Sequence, residues 1–397
     1  MYRLASAVRK LLSACPLLLI LSSCSGDTLY RDVSADALPQ RDLEGFSMDA
    51  AAGDLDGDGD LDLLIAQEYR PNILLLNDGR GGFTNESRRI PQTDRDSEDI
   101  AIADFDRDGD LDVVVVSEDD RINEYYRNRG DGIFEDFGAL LPVSGTTNAV
   151  ATADIDGDGY PDLVLGNNGQ NRLLLGDGEG GFDDATTSWL PSINDATQDL
   201  ELGDIDGDGD LDLVVGNEDQ NRLLIRNGAR FVDESRRRLP RAPAPEETRE
   251  ADFADVDGDG DLDIFFANVR AFVPDADPQN RLLLNDGAGF FTDVTADRLP
   301  RDTTNAFDGD VLDLDRDGDL DIILAQADRG WRAPAPYAVW ENDGSGSLRE
   351  ATGRFLPRVA RGPGFDVEAI DADGDGVSEL YLSNRGAESD LLLRIRQ

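Results

Sequence analysis

Carboxylates recur along this chain at a spacing that suits one chemistry, the holding of a hard cation. The stretch Asp54-Leu55-Asp56-Gly57-Asp58-Gly59-Asp60-Leu61-Asp62 returns in altered form beginning at Asp104, Asp154, Asp204, Asp255, Asp313 and Asp371. Position 3 of the pattern is Asp56, Asp106, Asp156, Asp206, Asp257, Asp315 and Asp373, and position 5 is Asp58, Asp108, Asp158, Asp208, Asp259, Asp317 and Asp375. Acids at 1, 3 and 5 with glycine at 6 put three carboxylates on the concave side of a tight turn, where the glycine lets the backbone wrap an ion. Oxygen donors without His or Cys select Ca2+ over zinc or copper, and a flexible cage disfavours Mg2+. Without an ion, carboxylates this close repel strongly.

An EF-hand is the obvious rival, and the residues exclude it. That loop closes with a Glu at position 12 between two helices. Position 12 here is Ile65, Val115, Leu165, Val215, Phe266, Leu324 and Leu382, each inside an apolar, strand-like run. The closing carboxylate stands instead at position 9, as Asp62, Asp112, Asp162, Asp212, Asp263, Asp321 and Glu379.

The starts are spaced by 50, 50, 50, 51, 58 and 58 residues, which is the mark of a circular or stacked β array. Each unit reads alike. A short apolar strand enters the acidic loop, a buried-looking strand leaves it (61–66, 111–116, 211–215, 262–267), and a third follows a turn (72–76, 171–175, 280–284). A glycine turn then leads to a short polar fourth strand, as in Phe83-Thr84-Asn85-Glu86-Ser87. Four short strands with Gly/Asn/Asp turns and no helical period predict one β-meander per unit. Seven such units predict an all-β, seven-bladed propeller. The blades are expected near 46–92, 97–143, 147–193, 197–242, 249–301, 306–359 and 364–397. The last lacks a fourth strand, and residues 29–39 resemble the missing piece: Leu29-Tyr30-Arg31-Asp32-Val33-Ser34 copies 291–295. Such a split repeat would close the ring and leave no open edge.

Composition narrows the function classes. Over 397 residues, Asp+Glu total 84 against 37 Lys+Arg, a net charge of -47, so no basic surface is available for nucleic acid. Disorder is the other reading of an acidic chain with 41 glycines. Apolar residues make up 39% and arrive in regular runs, which favours a folded protein whose missing positive charge is bound cation. Histidine is absent, which removes the commonest general base and any Ser-His or Cys-His pair. The only cysteines are Cys15 and Cys24, so the folded body holds no disulfide.

Arg3, Arg9 and Lys10 precede a short apolar core at 11–21, and Leu21-Ser22-Ser23-Cys24 follows. The segment is short for a membrane span and has signal-peptide flanks. Leu-Ser-Ser-Cys resembles the lipobox of bacterial lipoproteins. The resemblance implies cleavage after residue 23, a lipid on Cys24 and a tether over 24–28. With Ser25 rather than Asp next, it implies an outer-membrane lipoprotein, facing the periplasm or the surface. The alternative is an ordinary cleaved signal with Cys24 incidental. Both place the body outside the cytoplasm.

The pattern Asp-x-Asp-x-Asp-Gly-x-x-Asp opening a strand, with Asn285-Asp286-Gly287-Ala288-Gly289-Phe290 and Phe291-Thr292-Asp293-Val294-Thr295 after it, resembles the FG-GAP/VCBS repeats of the integrin α-subunit head and many bacterial surface proteins. The resemblance spans nearly everything after Gly26. It implies a seven-bladed propeller with up to seven Ca2+ ions in the hairpins between first and second strands. Side chains at positions 1, 3, 5 and 9 and the backbone carbonyl at 7 are the implied ligands. Position 7 is Asp60, Asp110, Tyr160, Asp210, Asp261, Asp319 and Val377. Arg107 and Arg316, at position 4, should point outward. The seventh loop departs most, at Val377-Ser378-Glu379.

Calcium in such loops is expected to staple hairpins, which leaves recognition to the opposite face. Two second-to-third-strand loops are long there, 268–279 with Phe272 and 326–337 with Trp331 and Tyr337, Trp340 lying just beyond. Phe272 and Trp340 form part of that surface or pack beneath their loops. Five residues upstream of each loop stand Asp49, Asp99, Ala149, Asp199, Glu250, Asp308 and Asp366, and three upstream Glu201, Asp252, Asp310 and Glu368. On strands lining an axis these form an acidic collar. Asp308, Asp310 and Glu368 could then hold a cation, an amine or sugar hydroxyls, or belong to a solvated rim or an arginine network. The leading functional expectation is an adhesion-type module for a protein or glycan. The alternatives are a polysaccharide lyase or hydrolase working through carboxylates, and a scaffold in an outer-membrane assembly.

Overall fold

Apolar runs behind the acidic loops are what the sheets are built around. The computed structural model describes residues 27–119, 121–327 and 334–396; Cys24 and Trp331 lie outside them. In the first repeat the strands Glu44–Gly53, Asp62–Arg70, Ile73–Asn77 and Phe83–Asn85 pair antiparallel in that order. The same meander recurs as far as Asn305–Leu312, Asp321–Ala327, Ala338–Asn342 and Leu348–Glu350. The fold is all-β, and each acidic loop joins a first strand to a second, with Gly53 opposite Asp62.

Leu63, Leu64, Ile65 and Ala66 are all 0% exposed, so this second strand is covered on both faces. Its alternate side chains meet different neighbours. Leu63 and Ile65 pack with Tyr381 and Leu392, whereas Leu64 and Ala66 pack with Val113 and Val115. The meanders therefore stack face to face, which explains strands that read as continuous apolar runs rather than alternating ones. Each such leucine, isoleucine or valine side chain contributes about 1.5–3 kcal/mol by its burial.

First strands run longer than the sequence suggested, and each carries a bulge. The register slips between Ser47 and Asp49, and at the equivalent point of every repeat. A bulge leaves one residue unpaired and re-aims its side chain. Here those residues are Met48, Glu98, Asn148, Gln198, Arg249, Phe307 and Phe365. Neighbouring meanders also pair at their corners: Glu68 with Asp96, Asn168 with Ala196, Glu218 with Glu247, and Arg385 of the last repeat with Phe46 of the first.

After each fourth strand comes a single helical turn that the sequence reading did not anticipate. It is held by an Asx motif: Ser87 N and Oγ donate to Asn85 Oδ1 at 3.0 and 2.6 Å, and Leu74 N donates to Ser87 Oγ at 3.1 Å. The same bonds join the two ends of the chain. Ser34 N and Oγ donate to Asp32 Oδ1 at 2.9 and 2.6 Å, and Leu392 N donates to Ser34 Oγ at 2.8 Å. Tyr30–Asp32 pairs with Leu391–Ile395, Tyr30 opposite Ile395.

Gly45 sits where the first and last repeats meet, with φ +80°, and a Cβ there would lie 1.5 Å from Gly386 O. Gly45→Ala is expected to cost about 3 kcal/mol in urea unfolding, left-handed strain adding to a backbone forced apart. Gly57→Ala, with φ +78° and nothing within 4 Å, should cost no more than about 1–2 kcal/mol. Equal losses would contradict tight packing at that junction.

Candidate functional site

Two sets of side chains converge, at opposite ends of the first strands. In the first loop Asp54 Oδ1 accepts from Gly57 N at 2.9 Å and Asp54 Oδ2 from Gly59 N at 3.1 Å, which draws the turn closed. Gly59 takes φ +96°, open to glycine but strained for other residues. Asp62 is 1% exposed, and its two oxygens accept from Leu55 N at 3.0 Å and Asn77 N at 2.8 Å. Position 9 thus ties the loop to the third strand as well as facing its centre. Burial pushes the carboxyls of Asp62, Asp112, Asp212, Asp263 and Asp321 up to about 7.

Oxygens of Asp54, Asp56 and Asp58 lie within 4.8 Å of one another, as do those of Asp104, Asp106 and Asp108 and those of Asp204, Asp206 and Asp212. Asp56 Oδ1, Asp104 Oδ1, Asp206 Oδ1, Asp257 Oδ1 and Asp373 Oδ1 are buried and accept no hydrogen bond. Converging hard donors with lone pairs to spare fit a divalent cation. Arg107 and Arg316 are exposed as expected, in left-handed backbone with φ 59° and 66°. An arginine meets the position-3 acid in several loops, Arg89 3.8 Å from Asp56, Arg238 3.2 Å from Asp206 and Arg354 2.6 Å from Asp315. In the seventh one guanidinium meets two acids, Arg394 Nε 2.7 Å from Glu379 Oε1 and Nη1 3.1 Å from Asp373 Oδ2.

The opposite end holds a pocket of about 180 Å3 that every repeat reaches. Its walls include all the bulged residues, Met48, Glu98, Asn148, Gln198, Arg249, Phe307 and Phe365. Phe307 stacks on Phe365 with centroids 4.5 Å apart, and the Arg249 guanidinium lies 5.3 Å from the Phe272 ring. Phe272 is 55% exposed, so of the two readings open from the sequence it stands at the rim and not beneath its loop. Glu68, Glu118 and Glu218 line the same mouth, and Arg385 pairs with Glu68. Acid gathers on one side and aromatic rings on the other.

The collar acids sit beneath this mouth, and six of them accept from backbone N–H groups of the next repeat. Asp99 Oδ2 accepts from Val150 N at 2.7 Å, Asp199 Oδ2 from Ala251 N at 2.9 Å and Asp252 Oδ2 from Val311 N at 3.1 Å. Asp308 Oδ2 accepts from Val367 N at 2.8 Å. From the last repeat, Asp366 Oδ2 reaches Ala50 N at 3.1 Å and Glu368 Oε1 reaches Ala52 N at 2.9 Å. Each acid staples its strand to the first strand of the next repeat in order. Burial raises these carboxyls, Asp99 and Asp252 to about 6, Asp308 and Glu368 to about 7 and Glu201 to about 8. Burial, with Asp308 and Asp252 nearby, holds Asp310 well above the usual range.

One expected ligand-face residue is corrected. Tyr337 is 0% exposed, its hydroxyl donating to Ser383 O at 2.7 Å. The long connection folds back, Ala335–Pro336 pairing with Arg361–Gly362, and this draws Tyr337 into the core. Trp340, 3% exposed, packs edge-on against Phe265. The sequence reading missed the bulged ring, although aligned repeats carry its signal: the position just before each collar residue is the one that varies without pattern. It also missed the asparagine clamp. Asn77 Nδ2 donates to Ala372 O at 2.8 Å, Asn128 Nδ2 to Leu55 O at 2.9 Å, and Asn285 Nδ2 to Ile205 O at 2.8 Å, each tying its own loop to the preceding one.

Stacked four-stranded meanders with acidic hairpin loops define a repeat protein of the β-propeller class. The FG-GAP-like repeat model matches residues 54–115, 104–165, 154–215, 204–266 and 255–324, and the chain belongs to that family. Solved structures of similar fold include BBS1N in complex with ARL6DN (12% identity, 93% of this chain and 97% of that one, TM-score 0.57). YCF48 bound to D1 peptide is another (9% identity, 94% and 96%, TM-score 0.57). The extracellular domain of BT4673 from B. thetaiotaomicron is a third (11% identity, 89% and 39%, TM-score 0.55). At these identities the likeness is one of fold. No curated protein matches the sequence. Among the described residues no helix is long and apolar enough to cross a membrane.

Proposed function

We propose that this chain is a Ca2+-stapled propeller of seven four-stranded blades that recognises a protein or glycan outside the cytoplasm, its ligand entering the pocket opposite the calcium loops. The observation that carries the reading is the bulged ring. On a scaffold that otherwise repeats, the bulged position that lines the pocket in every blade is different in nearly every one, as a binding surface requires and a fold does not. Ring closure by Tyr30–Asp32 is supported by the bonds from Asp366, Glu368 and Asn77 that join the last blade to the first. Calcium is supported by the unpartnered, buried loop oxygens, and it would be held by positions 1, 3, 5 and 9 in each loop, the seventh most weakly. The lipid anchor at Cys24 rests on sequence, and with the signal at 1–23 it would place the propeller on the outer membrane. Fold neighbours solved with a protein or a peptide show that such a scaffold can serve recognition.

Asp99, Asp199, Asp252, Asp308, Asp366 and Glu368 of the collar are committed to backbone N–H groups, so binding fits the pocket better than catalysis. A glycan array and pull-downs from the native envelope, run with wild type and with Phe272→Ala/Gln198→Ala, test the reading. Capture that drops at least tenfold in the double variant is expected; equal capture by both would sink it, and turnover of an arrayed sugar would favour an enzyme.

A further inference from the structure

Six of the seven acidic loops, all but the one at 154–162, hold a buried carboxylate oxygen that accepts no hydrogen bond among the described residues. In the loops beginning at Asp54, Asp104 and Asp204 it belongs to three carboxylates with oxygens within 4.8 Å of one another. Among the described residues, every such buried, partnerless carboxylate oxygen lies in a loop except one, Asp96 Oδ1. Asp96 belongs to a further group of three, with Glu98 and Glu118, whose oxygens again lie within 4.8 Å of one another.

This group stands far from any loop. Asp96 and Glu98 lie on the first strand of the second repeat, Arg95–Ala103, at the end away from its acidic loop. Glu118 follows the second strand and donates its backbone N–H to Asp96 O at 3.1 Å. Asp96 is 2% exposed, and among the described residues its Oδ2 accepts only from Asp119 N, at 3.2 Å. Nearby cations make their ion pairs with other acids, Arg385 with Glu68, Arg249 with Glu247 at 3.3 Å and Glu218 at 3.6 Å, and Arg95 3.9 Å from Glu124. Arg249 also acts on Glu98 and Glu118 through space, without an ion pair to either among the described residues. Three carboxylates so placed repel unless a positive charge joins them.

The group is also built once. In the other repeats the aligned triplets are Phe46, Met48 and Glu68; Thr146, Asn148 and Asn168; Ala196, Gln198 and Glu218; Glu247, Arg249 and Val269; Asn305, Phe307 and Ala327; Pro363, Phe365 and Arg385. None has acids at all three positions, so the fold does not demand them.

We propose that Asp96, Glu98 and Glu118 hold a divalent cation in the wall of the central pocket. All-oxygen donors favour a hard ion of the Ca2+ or Mn2+ kind. Glu98 and Glu118 line the pocket, so the ion stands within reach of an oxygen on whatever enters. The site depends neither on calcium in the loops nor on the ligand's identity.

Manganese alone is the probe. Crystals soaked in Mn2+ are expected to give an anomalous peak among the three carboxylates, in addition to any at the loops. In equilibrium dialysis Glu98→Gln/Glu118→Gln should bind one ion fewer per chain than wild type, with metal-free melting unchanged. Peaks confined to the loops together with unchanged stoichiometry would overturn the proposal. Should the double variant fail to fold, half-buried Glu98→Gln alone serves: losing that single peak supports the site, and keeping it at full height refutes it.

Discussion

Metal-free protein is expected to melt on the order of 10 °C below the same protein in 10 mM Ca2+, and to recover fully when calcium is returned. Affinities of extracellular calcium modules, ~10⁻³ M at the weak end, give about 1.4 kcal/mol per site at that concentration by mass action. Up to seven sites give about 10 kcal/mol, and for a chain this long each kcal/mol moves the midpoint by roughly 1–2 °C. The loops account for the size of the effect. Their carboxylates already converge, held by Gly57, Gly59 and Leu55 N–H groups, so an ion removes repulsion without reorganising the turn. Loop seven should gain least, because Arg394 lies 2.7 Å from Glu379 and 3.1 Å from Asp373 and so meets two of its implied ligands, whereas in loops two, four and six an arginine meets one. Differential scanning fluorimetry in EDTA and in Ca2+ reads the shift, and coincident curves would refute calcium in the loops.

The second large effect is one of pH, and its sign is unusual for an acidic protein. The collar carboxyls of Asp308 and Glu368 titrate at about 7 and Glu201 at about 8 when folded, against roughly 4 in the unfolded chain. These groups hold protons more tightly folded than unfolded. Their contribution is complete below about pH 4 and is lost as pH rises through about 6 to 8. The net charge of -47 adds self-repulsion in the same direction. In EDTA the midpoint should therefore be higher at pH 5 than at pH 8, by on the order of 5 °C. Calcium should narrow the gap, since it competes with protons for the loop carboxylates and binds best at the higher pH. A metal-free midpoint that falls on acidification would show that the collar carboxyls are ionised in the fold.

Much of the architecture was legible because each repeat states it separately. Asp loops, second strands and Gly turns recur in register, and errors in one copy are corrected by the others. Even the copied strand at 29–34 could be recognised, and Leu392 N bonded to Ser34 Oγ now gives that resemblance a physical content. What the sequence hid was set by residues outside the pattern. Tyr337 reads as a loop aromatic because nothing local says that Ala335–Pro336 will pair with Arg361–Gly362 and carry it inward. The bulges were invisible because alternation seemed unbroken through Ser47, Met48 and Asp49, and a slip of one residue decides which of them faces the pocket. The collar was located correctly but misjudged in role. Free acids on an axis suggest a ligand, whereas Asp308 and Glu368 spend their oxygens on the backbone of the next repeat.

The proposed function divides the molecule into a calcium-stapled face and a recognising face, and the division itself can be measured. Binding of the captured ligand would be compared in saturating Ca2+ for Phe272→Ala/Gln198→Ala, in the pocket, and for Asp204→Asn/Asp206→Asn, in a loop, with melting recorded on the same samples. The pocket variant should lose at least tenfold in affinity at an unchanged midpoint, and the loop variant should melt several degrees lower while binding as wild type does. The reverse pattern, affinity lost through the loop and kept in the pocket variant, would contradict the account.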